Sequence, residues 1–172
     1  MTLEDLSVNE RKEYNKEVYE KIFNITKKPE KILDLGCGLN PLYFPYKDIY
    51  YVATDTNQIV LKKIKKHFKK NKIKGEIFYL DIKDLNEIKK LNKVGIVFIF
   101  KVLDLLKKDK PTIIEIIKNL KTNFIVVSFA TKTVYGKRMN YPRRKWFENI
   151  ISPKYKYEII RFFNETFYVI KK

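Results

Sequence analysis

The stretch Lys31-Ile32-Leu33-Asp34-Leu35-Gly36-Cys37-Gly38-Leu39-Asn40-Pro41 decides the fold. Ile32, Leu33 and Leu35 supply a short apolar strand. Gly36 and Gly38 follow at once, letting the backbone turn tightly and approach a ligand where a Cβ would clash. A glycine pair alone is weak evidence. A second strand, Tyr50-Tyr51-Val52-Ala53-Thr54, strengthens it by ending in Asp55, about twenty residues on, where nucleoside-binding βαβ folds place an acid for ribose hydroxyls.

Upstream of the turn, Ser7-Val8-Asn9-Glu10 has the form of a capping box, and Tyr14, Val18, Ile22 and Ile25 repeat at helical spacing, which predicts a helix over 8–26. Downstream, residues 57–71 set Ile59, Ile64 and Phe68 among many lysines, a helix with a narrow buried stripe and a positive outer face. A third strand over 76–80 ends in Asp81, and Leu85, Ile88 and Leu91 mark a short helix. The continuous run of residues 95–100 reads as a central parallel strand buried on both faces. Lys110-Pro111 opens a helix packed through Ile113, Ile114, Ile116, Ile117 and Leu120, and Phe124 to Phe129 forms a fifth strand. A basic loop over 130–144 leads to a helix carrying Trp146 and Phe147. Two last strands, over 155–163 and 166–170, make an antiparallel hairpin at the sheet edge. This order predicts an α/β fold: a doubly wound, Rossmann-like, mainly parallel seven-stranded sheet in one domain over 1–172, with residues 1–28 as a leading helix. In such sheets the ligand sits at the carboxyl ends of the strands, where Asp34, Gly36, Gly38, Asp55, Asp81 and Lys101 converge.

The composition, 45% hydrophobic and 15% aromatic with five glycines, is that of a packed globule. A net charge of +17, from 37 basic and 20 acidic residues, speaks to partners, and polyanions are the first class it favours. A hot habitat would account for abundant charge, and a thermophile source fits it, but not for the imbalance. Cys37 is the sole cysteine and His67 the sole histidine, so neither a disulfide nor a Cys/His metal site is expected, and the chain reads as reduced and cytoplasmic. No apolar run approaches a membrane span.

Together, Asp34-Leu35-Gly36-Cys37-Gly38, Asp55 and Asp81 resemble the first motif, the ribose acid and the adenine-side acid of class I S-adenosylmethionine-dependent methyltransferases. A narrower likeness rests on Gly36-Cys37-Gly38-Leu39-Asn40-Pro41, Phe100-Lys101-Val102-Leu103, Ser128-Phe129, Lys145-Trp146-Phe147-Glu148 and Phe163-Asn164-Glu165-Thr166. These segments are similar to the aminoglycoside-resistance ribosomal RNA guanine-N7 methyltransferases. Those enzymes carry a helical module ahead of the catalytic domain, for which this sequence leaves room for a single helix.

The resemblance implies S-adenosylmethionine as cofactor and RNA as partner, with small-subunit ribosomal RNA or its particle foremost. Asp34 can meet the cationic amino group, directly or through water, and Arg11 the carboxylate. Asp55 can accept both ribose hydroxyls, and Asp81, with Ile82 beside it, can take the adenine amine. Thr56, Phe100 and Lys101 complete the expected cofactor set. For Asp55 and Asp81 the competing reading is a helix N-cap after a strand.

No acidic residue followed by Pro-Pro-aromatic ends the fourth strand, which argues against amine methylation, and Cys37 is badly placed for cytosine-C5 chemistry. A ring nitrogen such as guanine N7 needs no general base, so positioning suffices. Lys101 and Asp104 are catalytic candidates and, with Lys132 and Glu165, would serve a 2′-hydroxyl acceptor; the alternative is surface charge. For RNA, the loop residues Lys132, Tyr135, Lys137, Arg138, Tyr141, Arg143 and Arg144 interleave aromatics with cations beside the cofactor mouth. The lysine run of 62–74 reads first as a solvated face, and Trp146 as core. Two other functions stay open: methylation of a small molecule or protein, and a non-catalytic RNA-binding or ribosome-assembly role.

Overall fold

The alternation of inward side chains along the central strand explains how two helical layers share one sheet. In a computed structural model, which describes residues 15–132, 143–162 and 164–172, this strand is β4 (Val94–Phe100). Its Ile96, Phe98 and Phe100 enter one core, and Val97 and Ile99 enter the other. Each buried side chain of this size contributes about 1.5–3 kcal/mol. On the Phe98 face lie α1 (Asn15–Thr26) and α2 (Gln58–Asn71), through Val18, Ile22, Val60, Ile64 and Phe68; Ile59, expected in the buried stripe of α2, is instead exposed, because the stripe runs through Val60 and Leu61 one position on. On the Val97 face lie α3 (Leu85–Lys90), α4 (Lys110–Asn119) and α5 (Lys145–Ile151), through Ile88, Ile113, Ile116, Ile117, Phe147 and Ile151; Ile114, expected to pack inward, lies off this stripe and is exposed.

The remaining strands are β1 (Lys31–Leu35), β2 (Tyr50–Asp55), β3 (Gly75–Tyr79), β5 (Thr122–Ala130), β6 (Lys156–Arg161) and β7 (Glu165–Lys171). Their order in one seven-stranded sheet is β3-β2-β1-β4-β5-β7-β6. Strands β1 to β5 are parallel, while β7 runs antiparallel to β5 and to β6. The expected doubly wound sheet is thus present, with β4 at its middle. The antiparallel terminal hairpin lies at this edge of the sheet as expected, with β7 inside, between β5 and β6, and β6 outermost. The reason lies in composition, since Phe167, Tyr168, Val169 and Ile170 are all buried, as a strand covered on both faces must be.

Several boundaries shift. The third strand begins at Gly75 and stops at Tyr79, leaving Leu80 and Asp81 beyond it. The last two strands are Lys156–Arg161 and Glu165–Lys171, with Phe162 N–H donating to the Glu165 carbonyl (2.9 Å) across the turn. Of the first helix the described part begins at Asn15; its proposed capping box lies outside the described residues. Trp146 packs edge-on against Phe129 and Phe147, which bears out a core role. No helix among the described residues is long and apolar enough to cross a membrane.

Candidate functional site

The glycine turn leaves β1 at Leu35 in left-handed backbone: φ is +65° at Gly36 and +50° at Gly38. An L side chain is strained at both, by about 1–2 kcal/mol. The two positions differ in surroundings. A Cβ on Gly36 would lie 2.7 Å from Val102 Cγ2, whereas on Gly38 it would meet no protein atom within 4 Å. Gly36 is therefore tied to packing against the segment after β4, and Gly38 to an open cradle.

Two hydrogen bonds hold the turn against β2. Cys37 N–H donates to the Thr54 carbonyl at 2.9 Å, and Gly38 N–H donates to Asp55 Oδ2 at 2.8 Å. Asp55 Oδ1 accepts from Asn57 N–H at 2.8 Å. Each carboxylate oxygen can accept a second bond, so Asp55 keeps capacity for a vicinal diol. It is not the helix cap: Asn57 caps α2 by accepting from Ile59 and Val60 N–H. Cys37 is buried, and burial first, then the charges of Asp34 and Asp55, push its thiol far above the ordinary range. It is inert as a nucleophile.

Beneath the turn lies a network that no sequence motif announced. Asp34 is wholly buried, and its Oδ2 accepts from Asn40 Nδ2 (2.8 Å) and from the Tyr51 hydroxyl (2.5 Å). Tyr19, from α1, donates its hydroxyl to Asn40 Oδ1 at 2.9 Å, so the network ties α1, β1, β2 and the Asn40–Tyr43 turn together. Burial, and after it the Asp34 charge, raise the Tyr51 hydroxyl well above its ordinary value, keeping it a donor. Asp34 thus braces the glycine turn from below. Asn40 stood out in the sequence only as part of the Leu39-Asn40-Pro41 extension. The aromatic floor here, with Tyr19, Phe98 and Phe100 in mutual ring contact, had no signal beyond composition.

Beyond β3, Leu80 N–H donates to the Asp55 carbonyl (3.2 Å), which sets Asp81 beside the end of β2. Asp81 Oδ1 accepts from Lys83 N–H (2.9 Å), and Ile82 packs on the core. Asp84, not Asp81, caps α3 by accepting from Asn86 and Glu87 N–H. The N-cap reading therefore falls for both Asp55 and Asp81. Thr56 is exposed at the rim.

The acceptor side resolves into two ion pairs. Lys101, in left-handed backbone (φ +60°) just past β4, places Nζ 3.6 Å from Oε2 of wholly buried Glu165. Asp104 pairs instead with Arg144 at 3.0 Å. Of the four residues considered for a 2′-hydroxyl acceptor, Lys101 and Glu165 therefore face each other, while Asp104 faces Arg144.

The basic loop needs a correction at its end. Arg144 is not a free RNA-facing cation. Its buried guanidinium bonds Asp104 and the Ala130 carbonyl (2.9 Å), and its N–H donates to the Tyr168 hydroxyl (2.9 Å), because α5 is pinned to the sheet here. Arg143 chelates Glu148, with Nε to Oε1 at 2.8 Å, while staying half exposed. Lys132 is half-buried at the loop's start. Arg11, Tyr135, Lys137, Arg138 and Tyr141 lie outside the described residues.

The residues present suit S-adenosylmethionine: a glycine cradle that a Cβ would fill, Asp55 with spare acceptor capacity, and Asp81 alongside. Comparison with known proteins gives this geometry a family. A 16S rRNA (guanine(1405)-N(7))-methyltransferase of Proteus mirabilis is 27% identical over 137 residues, 76% of this chain and 48% of that protein. Its namesake from Micromonospora rosea is 27% identical over 177 residues, 97% of this chain and 63% of that protein. The chain therefore spans about half to two thirds of these relatives' length. Among solved structures, the 16S rRNA methylase ArmA superposes with a TM-score of 0.78 at 26% identity, covering 99% of this chain and 91% of that one. The model of the FmrO family, described as ribosomal RNA methyltransferase, matches residues 2–153. The chain belongs to the FmrO ribosomal RNA methyltransferase family.

Proposed function

We propose that this chain, as one domain over 1–172, transfers a methyl group from S-adenosylmethionine to guanine N7 of small-subunit ribosomal RNA, a cytoplasmic reaction. The observation that carries the reading is the cradle at Gly38, whose N–H is held by Asp55 Oδ2 at 2.8 Å and whose Cβ direction is open. When bound, the cofactor supplies a methyl group activated by its sulfonium. Asp55 accepts the ribose hydroxyls, Asp81 the adenine amine, and Gly38 lets the backbone approach closely. Asp34, through Tyr51 and Asn40, holds the turn in shape. Phe100, buried at the end of β4 and stacked on Phe98 at 4.9 Å, walls the crevice toward the acceptor.

The acceptor chemistry follows from what the site holds. Guanine N7 has a free lone pair and loses no proton on methylation, so orientation and electrostatics supply the rate enhancement. Lys101 and Asp104 are each matched to an opposite charge, an arrangement that fits positioning better than proton abstraction. The names of the relatives, guanine-N7 methyltransferases of 16S rRNA, support the same acceptor. The test is transfer of labelled methyl groups to purified small ribosomal subunits, naked ribosomal RNA, transfer RNA and bulk protein. The expected result is label in small-subunit RNA alone; label confined to protein or to transfer RNA overturns the reading.

A further inference from the structure

Helix α2 carries charge that neither the cofactor turn nor the acceptor pairs use. With about 100° between successive residues, Val60, Leu61, Ile64 and Phe68 close on the core while Lys62, Lys63, Lys65, Lys66, Lys69 and Lys70 fill an outer arc of roughly 160°. All six are exposed, and Ile59, in the same arc, is 68% exposed. Residues 56–75 contain neither Asp nor Glu.

The other helices of this protein are built differently. Lysines on α1, α3 and α4 pair with acids one turn away: Lys21 with Glu17, Lys90 with Glu87, Lys118 with Glu115. On α2 the i,i+4 neighbours are instead Lys62 with Lys66, Lys65 with Lys69, and Lys66 with Lys70, all repulsive. A merely solvated face would gain by interspersed acids, as the protein's other helices show. Retained self-repulsion marks a surface that is neutralised by a partner. The positive potential extends to the helix flank, where His67 is pulled below its ordinary value by burial and then by Lys47 and Lys70.

Position connects this face with the site. The helix starts three residues after Asp55, at Gln58, and its 14 residues run about 20 Å away from the crevice rim. In the sheet, β2, which leads into α2, and β5, which leads to Lys132, stand three strand spacings apart, about 14 Å, on opposite sides of β1 and β4. Lysine is a compact charge without the fork that reads base edges, and six of them spaced along a helix match a run of phosphates.

We infer that the outer face of α2 is a second, sequence-blind RNA-docking surface that holds the phosphate backbone of the substrate RNA beyond the methylated nucleotide. It rests on the RNA-methyltransferase reading above. The test uses the full chain and a fluorescein-labelled RNA hairpin, and measures the logarithm of the binding constant against the logarithm of salt concentration. The variant Lys62→Gln/Lys65→Gln/Lys66→Gln/Lys69→Gln is compared with an equal neutralisation on the opposite layer, Lys93→Gln/Lys107→Gln/Lys108→Gln/Lys121→Gln. Glutamine matches lysine in helix propensity, and melting curves check the fold.

The α2 variant should lose about 0.7–0.9 of slope per contact, about 3 in total, with S-adenosylmethionine affinity unchanged and the control variant losing less than about 1. An unchanged slope, or equal losses in both variants, overturns the inference while leaving methyl transfer standing. If binding of polyglutamate but not of RNA responds, the face serves an acidic protein and the inference falls. A wild-type chain that does not retain the hairpin overturns it together with the reading beneath it.

Discussion

Gly38→Ala separates the two demands placed on the glycine turn. Alanine at φ +50° costs about 1–2 kcal/mol of backbone strain, and because no protein atom lies within 4 Å of the added Cβ, no clash is added. For a chain of this size, each kcal/mol lowers Tm by about 2–4 °C, so the expected fall is about 2–8 °C. The added methyl instead fills the cradle into which the cofactor must come. Its dissociation constant should rise at least tenfold, about 1.4 kcal/mol. Gly36→Ala reverses the balance: similar strain plus a 2.7 Å approach to Val102 Cγ2, an overpacking of about 1–3 kcal/mol more, lowers Tm further with a smaller direct effect on the ligand. Calorimetric titration with S-adenosylmethionine and thermal melting of both variants are the assays. Wild-type cofactor affinity in Gly38→Ala would refute the reasoning, however much stability it lost.

Other perturbations probe the rest of the account. Arg144→Ala removes the partner of Asp104 and the donor to the Ala130 carbonyl, and should lower stability by about 2–3 kcal/mol in urea unfolding. Lys137→Ala/Arg138→Ala should abolish methylation of small subunits while cofactor affinity survives; normal methylation would defeat the role given to the loop. Hydrogen bonds from Arg143 hold Glu148 below its ordinary value of 4.5, so its stabilisation is fully present above about pH 4.5 and lost as pH falls through the folded value. The stability gap between wild type and Glu148→Gln should accordingly be flat from pH 7 to 5 and close below 4.5, as urea midpoints would report. Cys37, buried and with its thiol pushed up, should resist a thiol reagent at pH 8 in the native protein and react fully in denaturant.

What the sequence made legible was whatever rests on local pattern. Strand β4 is a continuous apolar run, and β1 and β5 are nearly so apart from Asp34 and Ser128, because both faces are covered, and the glycine turn needs residues that tolerate positive φ. Spacing places Asp55 and Asp81 just at or past strand ends, as the structure has them, and the competing cap reading falls because Asn57 and Asp84 take that task. Contacts between distant segments were not legible. Asp104 and Arg144 are 40 residues apart, and nothing in either neighbourhood names the other. The bracing of Asp34 by Tyr51 and Asn40 depends on the parallel register of β1 with β2, which sets Asp34 opposite Ala53. The insertion of β7 between β5 and β6 is likewise a pairing choice among apolar strands, visible only in three dimensions.

The most direct measurement is mass spectrometry of nucleosides from small-subunit ribosomal RNA incubated with the purified chain and S-adenosylmethionine. The account predicts new 7-methylguanosine with the wild-type chain and a large loss of it with Gly38→Ala. Methylation of a 2′-hydroxyl, an exocyclic amine or no nucleoside at all would contradict it.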